Sequence, residues 1–252
     1  MLSQPSAALS QLEFVQVFLT LEFTEPYGLR FEQLLRLRRN LRQTAAGELL
    51  DRRAFAALFE PEVATDPYAR RRHQRPGPPF VIHPPVTFPP MLSASDRVEL
   101  PVVLFGPGIP LLPDFCRVFQ ELGARGFHRG EGRFTLVEVA ARDLAGNRMP
   151  IHFSNEGRPA PLPVSHAGWF LDQFTAASAV ELRLQTPARL LSGGRPLFRP
   201  RFQTLFPFLL RRVSSMAAAY GAVELIDDPG LFLAASEAVV ERENRLAWRD
   251  WR

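Results

Sequence analysis

The feature that most constrains this chain is a segment in which two strand-like runs flank a helical pattern and a glycine-rich turn. Arg97–Phe105 is rich in β-forming residues and Phe134–Ala140 alternates apolar with other residues, which predicts two strands, and the apolar spacing of Leu111–Leu122 predicts a helix between them. The eleven residues Gly123–Arg133 contain four glycines and three arginines. Glycine lets a backbone approach a ligand closely, and the planar guanidinium of arginine suits phosphate oxygens. The segment therefore favours binding of a nucleic-acid backbone over binding of a small apolar substrate.

The composition is that of a folded chain with an unusual choice of basic residue. The 252 residues leave room for one large domain or two small ones, and a hydrophobic fraction of 46% is typical of globular proteins. The formal net charge is only +4, but all 30 basic residues are arginines. A GC-rich genome is the simplest explanation of that choice. Every fixed positive charge is nevertheless a fork that can grip phosphate or stack on bases.

Several classes of site are excluded or disfavoured by the residues present. The single cysteine, Cys116, excludes an internal disulfide and a cysteine-based zinc site, and its apolar neighbours predict a core position. The five histidines show no metal-ligand spacing, and no nucleotide-binding or serine-nucleophile motif occurs, so we expect neither metal nor cofactor. No secretory signal pattern or membrane-spanning apolar run is present, which predicts a cytoplasmic protein with no membrane partner.

The order of the predicted elements indicates an α+β fold of two tandem ferredoxin-like (RRM-like) domains with βαββαβ order. In the first half, the patterns predict strands at 12–23 and 80–82 and helices at 29–44 and 47–59. In the second half they predict helices at 111–122 and 202–220 and strands at 98–105, 133–141, 148–153, 180–186 and 222–226. A composition shift near residues 88–95 suggests the boundary, so we predict domains at 1–92 and 93–228 and a helical extension at 229–252.

Several short segments, none specific by itself, occur in an order and spacing that resemble a known family. They are Leu29-Arg30, Ala57-Leu-Phe59, Pro79-Phe-Val-Ile-His-Pro-Pro85, Val102-Val-Leu-Phe-Gly106, Leu122-Gly-Ala-Arg-Gly126, Gly132-Arg-Phe134, Val180-Glu-Leu-Arg-Leu-Gln-Thr-Pro187, Arg211-Arg-Val213 and Tyr220-Gly221. Together they resemble the CRISPR-associated endoribonucleases that process precursor CRISPR RNA, a branch of the repeat-associated (RAMP) superfamily.

The resemblance implies a ligand and a reaction. The ligand is the hairpin of a CRISPR repeat RNA, which is cut at the stem base without a metal by 2′-hydroxyl attack, leaving a 2′,3′-cyclic phosphate on a crRNA that stays bound. Relatives often carry a catalytic histidine in the first helix, but Arg30–Thr44 contains none. Many also continue into a C-terminal glycine-rich loop, whereas this chain stops at Trp248–Arg252. We therefore expect either a short, divergent branch, such as the processing nuclease of type IV CRISPR systems, or a non-catalytic crRNA-binding subunit beside other effector subunits.

The first predicted helix carries the candidates for catalysis. On a helical wheel, Arg38 falls within an apolar stripe and Arg42 lies at its edge; the stripe consists of Phe31, Leu34, Leu37, Leu41 and Ala45. Because a guanidinium cannot lose its charge, Arg38 must reach solvent, pair with a carboxylate or face a cleft that binds an anion. Tyr27 just upstream, and the family's use of this helix, favour the cleft. We predict that Arg38, Arg42 and Tyr27 form a slow active site acting by positioning and charge stabilisation, with His128 as the alternative for proton transfer.

Other basic residues are predicted to contact RNA. The candidates are Arg36 and Arg39 on the solvated face of the first helix, Arg125, His128, Arg129 and Arg133 in the glycine-rich turn, Arg211 and Arg212, and Arg242, Arg245 and Arg249. The last three lie at i, i+3 and i+7, so a helix over 229–252 would present them on one face toward phosphates. An ordinary charged surface with Glu–Arg pairs is the alternative for that helix. A general RNA-binding protein outside CRISPR is a third possibility, but Phe134 and Phe153 do not supply its aromatic pattern convincingly.

Overall fold

An antiparallel sheet organises the first part of the chain. The computed structural model describes residues 9–47, 49–62, 76–85, 89–153, 161–173, 177–185, 188, 190–192, 194–198, 200–224 and 228–247. The strands of the sheet are β1 (Glu13–Phe23), β2 (Phe80–Ile82), β3 (Arg97–Phe105), β4 (Phe134–Arg142), β5 (Arg148–Pro150) and β6 (Ser165–His166). Their spatial order is β2-β3-β1-β4-β5, with β6 paired to β1, and every pairing is antiparallel.

Six α-helices occur in the described residues. They are α1 (Phe31–Ala45), α2 (Arg52–Phe59), α3 (Leu112–Arg125), α4 (Ala167–Asp172), α5 (Phe202–Gly221) and α6 (Pro229–Glu237). Across the described part of the chain, no helix is both long and apolar enough to cross a membrane. The fold is therefore mixed α+β with an open antiparallel sheet, which confirms the predicted class.

β1 is the central strand of this sheet. It pairs with β3 on one side and with β4 on the other, so that Phe18 lies opposite both Pro101 and Ala140. Alternate residues of β1 point into the core, and these five are at most 1% exposed: Val15, Val17, Leu19, Leu21 and Phe23. The strand predicted at 12–23 is thus confirmed to within one residue.

Two helices cover the inner face of the sheet. Leu37 and Leu41 of α1 and Phe115 and Phe119 of α3 are almost completely buried in one core with β1, and the two helices contact each other. The predicted helices at 29–44 and 111–122 and the predicted core position of Cys116 are confirmed.

The second predicted helix is shorter than the pattern suggested. Predicted at 47–59, it begins at Arg52, because the Asp51 carboxylate accepts a hydrogen bond from the Ala54 N–H at 2.7 Å and caps the helix there.

The connection order of the sheet is β1, α1 with α2, β2, β3, α3, β4. This βαββαβ order occurs over residues 13–142, and its four strands all belong to one sheet.

By its contacts the chain divides into a unit of residues 1–62 and 77–175 and a unit of residues 63–76 and 176–252. The predicted boundary at residue 92 lies inside the first unit, since β1 pairs with β3 across it.

The second unit, taken by itself, is mainly helical in its described residues. It contains α5, α6 and a hairpin of β7 (Leu191–Ser192) and β8 (Arg195–Pro196). The helix predicted at 202–220 is confirmed. The strands predicted at 180–186 and 222–226 are wrong for residues 180–185 and 222–224, which belong to no strand. A tandem second βαββαβ domain is therefore not confirmed.

The predicted helical extension at 229–252 is correct only for its first part. The helix begins after Asp228, whose carboxylate accepts from the Gly230 N–H, and ends at Glu237. The following segment bonds to the start of α5: the Val239 carbonyl accepts from Gln203, and the Glu241 carboxylate accepts from the Phe202 N–H. These bonds stabilise a non-helical course, so the described residues 239–247 do not extend the helix.

We predict that Gly123→Ala destabilises the protein. A Cβ at residue 123 would clash with the carbonyl oxygen of Phe134 and lie 2.9 Å from its ring, so α3 and β4 would have to separate. Overpacking of this kind costs about 1–3 kcal/mol, which exceeds the gain of roughly 1 kcal/mol in helix propensity. Gly47→Ala is the control, because nothing lies within 4 Å of its Cβ position. Urea unfolding measures both variants, and equal stabilities would contradict the close approach of α3 to β4.

Candidate functional site

A basic groove lies between α1 and the C-terminal end of α3. Its volume is about 460 Å³, and the glycine-rich turn after α3 forms one wall. The charged and amide side chains that line it are Arg36, Arg39, Asn40, Gln43, Arg125, His128 and Arg129. None of the described lining residues is acidic. The groove therefore concentrates positive charge in a concave surface, which is the electrostatic arrangement that attracts a polyanion.

The wall of the groove is a tight two-residue turn. The His128 N–H donates to the Glu131 carbonyl and the Glu131 N–H donates to the His128 carbonyl, both at 3.1 Å. Arg129 (φ 54°) and Gly130 (φ 85°) between them have left-handed backbones, as a type I′ turn requires. Gly126 is needed before the turn, because its φ is 90° and a Cβ there would lie 2.7 Å from the carbonyl carbon of Gly130.

All the basic residues in the described lining of this groove were predicted from the sequence, but not that they meet. Arg36, Arg39, Arg125, His128 and Arg129 were predicted as RNA contacts on two separate segments, and the structure brings them together. The exposed Arg133 follows the turn and does not line the groove. Arg125 also bonds to Glu121 at 2.6 Å, so the charge of this groove arginine is partly compensated by a neighbouring carboxylate.

Two lining residues were missed because they are neutral. Asn40 and Gln43 lie on the same helical face as Arg36, at helical spacings of four and seven residues. Because Arg36 was a predicted RNA contact, the helical spacing of Asn40 and Gln43 from it is the signal by which they could have been found.

The predicted catalytic arginines lie outside the groove. Arg38 is exposed, so the apolar stripe does not bury its charge. The helical wheel placed Arg38 within the stripe, but the long side chain reaches solvent, so its guanidinium avoids desolvation. Arg42 forms an exposed ion pair with Glu60, just after α2. Neither arginine is among the lining residues of the groove.

Tyr27, the third predicted catalytic residue, is buried. Its ring is 6% exposed and stacks on Phe23 with a centroid distance of 5.8 Å, and a Cβ at Gly132 would lie 2.7 Å from it. Its hydroxyl has no hydrogen-bond partner among the described residues. Burial, and secondarily the Glu131 carboxylate, raise the pKa of Tyr27 above its ordinary value of 10.0, so the phenol stays neutral at physiological pH.

The predicted C-terminal contacts do not form a helical stripe. Arg242 and Arg245 lie beyond the end of α6 in a non-helical segment, and Arg245 bonds to Glu243 at 2.6 Å. Arg249 lies outside the described residues. Arg211 and Arg212 are exposed on α5, as a contact role would require.

Comparison with known proteins identifies the region that contains the groove. A family model named AF_1859_N, described as an N-terminal domain, matches residues 28–163. The chain belongs to this family. The AF_1859_N match includes α1, α3 and the glycine-rich turn, and hence every described residue that lines the groove. No curated protein sequence matches the chain.

The described residues contain no group of three or more His, Cys, Asp or Glu side chains that could hold a metal ion. The groove has one imidazole and no described carboxylate in its lining. Its arrangement suits charge stabilisation and a single proton transfer.

We predict that Tyr27→Phe keeps the free energy of unfolding unchanged or raises it by about 1 kcal/mol, because the variant removes a buried hydroxyl that lacks a partner. The raised pKa of Tyr27 also stabilises the fold below the unfolded-state pKa of about 10, and this contribution is lost as pH rises above it. The variant should therefore lose less stability than the wild type between pH 8 and pH 11. Urea unfolding at both pH values measures this, and a loss of 2 kcal/mol or more, on the order of a lost buried hydrogen bond, would show a bonded hydroxyl.

Proposed function

We propose that this protein is a metal-independent endoribonuclease that binds the hairpin of a CRISPR repeat and cleaves precursor crRNA at the base of the stem. The 2′-hydroxyl of the preceding nucleotide attacks the scissile phosphate, the product carries a 2′,3′-cyclic phosphate, and the protein stays on the mature crRNA. The observation that carries the proposal is the groove between α1 and the glycine-rich turn, with four arginines and no acidic residue in its described lining. The proposal places the protein in the cytoplasm, with repeat RNA as ligand and other CRISPR effector subunits as partners.

The chemistry of the groove fits an RNA backbone. Arg36, Arg39 and Arg129 offer planar forks that can bind phosphate oxygens in a bidentate manner. A volume of about 460 Å³ accommodates a short stretch of backbone, so the remainder of a hairpin must contact other surfaces. Ferredoxin-like, RRM-like domains bind RNA in many proteins, and the βαββαβ order of residues 13–142 is that of such a domain.

Within the groove, His128 is the residue suited to proton transfer. Its imidazole is half-buried in the wall and next to Arg129, whose guanidinium suits the extra charge of the phosphorane. One imidazole assists one of the two proton transfers, so water or the RNA itself completes the other and the reaction is slow. The arrangement predicted from the sequence, with Arg38, Arg42 and Tyr27, requires a second surface, since none of these residues lines the groove.

A non-catalytic crRNA-binding subunit of an effector complex is the second candidate function. It is favoured because the described lining holds one imidazole and no carboxylate, which is few groups for acid–base catalysis. A binding subunit needs the arginines and not the histidine. Binding and cleavage therefore have to be measured separately.

We predict that binding of repeat RNA depends steeply on salt and that the groove supplies part of that dependence. Each arginine–phosphate contact contributes a slope of about −0.7 to −0.9, so Arg36→Ala, Arg39→Ala and Arg129→Ala together should flatten the slope by about two to three units. The control is Arg97→Ala, Arg142→Ala and Arg148→Ala, which removes the same charge from three exposed arginines of β3, β4 and β5. Fluorescence anisotropy measures the RNA affinity of both variants from 50 to 300 mM salt, a range over which an affinity change of about 10³-fold is expected. Equal slopes would remove the groove from the RNA interface.

We predict that cleavage persists in EDTA and depends on His128. His128→Ala should slow cleavage by about 10²–10⁴-fold, the usual contribution of a general acid or base, with RNA affinity and melting temperature almost unchanged. Arg38→Ala tests the other surface, where loss of one charge-stabilising donor should cost about 10²–10³-fold. Single-turnover kinetics with product-end mapping distinguishes the two. A normal rate in His128→Ala with a slow Arg38→Ala would move the active site to the Arg38 face, and tight binding without cleavage in the wild type would favour the binding subunit.

A further inference from the structure

The glycine-rich turn is held from both sides by side chains that are distant in sequence. On one side, the Asn40 Nδ2 group donates to the Phe127 carbonyl oxygen at 3.1 Å, a bond between residues 87 positions apart. On the other side, Oε1 of Glu25 accepts from the N–H groups of Gly132 and Arg133 at 2.8 and 3.1 Å. The two attachments flank the four residues 128–131 that form the turn.

We infer that Asn40 and Glu25 are positioning residues that clamp this turn so that His128 and Arg129 face the groove. The inference rests on the proposed function for its effect on RNA, but the clamp itself does not require RNA.

The turn needs such support because its own backbone hydrogen bonds do not suffice to hold its conformation. Arg129 has a φ of 54°, a conformation that is unfavourable for a residue with a Cβ and persists only where neighbouring structure enforces it. A two-residue hairpin is marginally stable by itself. The Phe127 N–H also donates to the Gly132 carbonyl at 3.1 Å, so fixing residues 127 and 132 fixes the whole turn.

Asn40 can be tested without altering the charge of the groove. It is neutral and lies on α1, so replacing it removes the bond to the turn and leaves every arginine in place. Asn40→Leu is the variant of choice, because leucine has a similar size and a higher helix propensity, which protects α1. Gln120→Leu is the control: it makes the same change from an amide to leucine at an exposed position of α3, and Gln120 does not line the groove.

Glu25 allows a test by conservative rescue. Glu25→Gln retains an Oε1 acceptor for the Gly132 and Arg133 N–H groups, whereas Glu25→Leu removes it. If the carboxylate acts as an acceptor for the turn, the glutamine variant should behave like the wild type and the leucine variant like Asn40→Leu.

The first measurement uses the protein alone. Amide hydrogen exchange in Asn40→Leu should accelerate about tenfold across residues 127–133, the effect of one lost hydrogen bond, while β1 and β3 keep their protection. The NMR signals of the His128 side chain should also move in Asn40→Leu and Glu25→Leu, because its position changes, and not in Gln120→Leu. Unchanged exchange at the turn in Asn40→Leu would overturn the clamp, whatever the protein binds.

The second measurement uses fluorescein-labelled repeat RNA at fixed salt. Asn40→Leu should weaken RNA affinity or slow cleavage about tenfold with an unshifted melting temperature, and Gln120→Leu should remain within about twofold. Loosened exchange with fully normal affinity and cleavage would overturn the role of the clamp in RNA recognition. A wild-type protein that does not bind the RNA refutes the proposed function, and the exchange experiment still decides the clamp.

Discussion

The pairing of β1 with two neighbours is the constraint on which the rest of the first unit depends. Because β1 lies between β3 and β4, the helices that follow β1 and β3 must cross the same face of one sheet. That face presents a continuous apolar surface, including Val17, Leu19 and Leu21, which only two adjacent helices can cover. α1 and α3 therefore lie in contact, and the basic groove is the space that remains where the end of α3 meets α1.

The geometry of the groove wall follows from the same constraint. After α3, the chain must reverse and enter β4 directly beside β1, with Phe134 opposite Phe23. Only eight residues separate α3 from β4, and the left-handed backbones at Gly126, Gly130 and Gly132 allow the reversal in that distance. A demand of the fold thus accounts for the glycines that sequence analysis attributed to a ligand. The two explanations are compatible, because the same reversal places His128 and Arg129 beside α1.

The first unit could be predicted largely from local patterns, whereas in the second the helix at 202–220 was predicted and the strands were wrong in the described residues. In β1 and α3 the spacing of apolar residues coincides with the burial observed, since each element has one face on a large core. Val180, Leu182 and Leu184 alternate just as clearly, but alternation becomes a strand only where a partner strand exists, and these side chains are 40% to 81% exposed. Within the site, charge pointed to Arg36 and Arg129 but not to Asn40, whose role depends on a carbonyl 87 residues away.

The arginines of the first unit show that residue type alone does not define a binding surface. On the sheet face away from the helices, Arg148 bonds to Glu99 and lies 4.0 Å from the centroid of the Phe18 ring, and Arg97 bonds to Glu22 at 2.8 Å. Such arginines have their charge compensated within the protein. The described lining of the groove offers no carboxylate to compensate Arg36 or Arg39, and only Arg125 bonds to a neighbouring carboxylate, that of Glu121. Compensation of charge, more than the number of arginines, therefore distinguishes Arg36 and Arg39 from the paired arginines of the sheet.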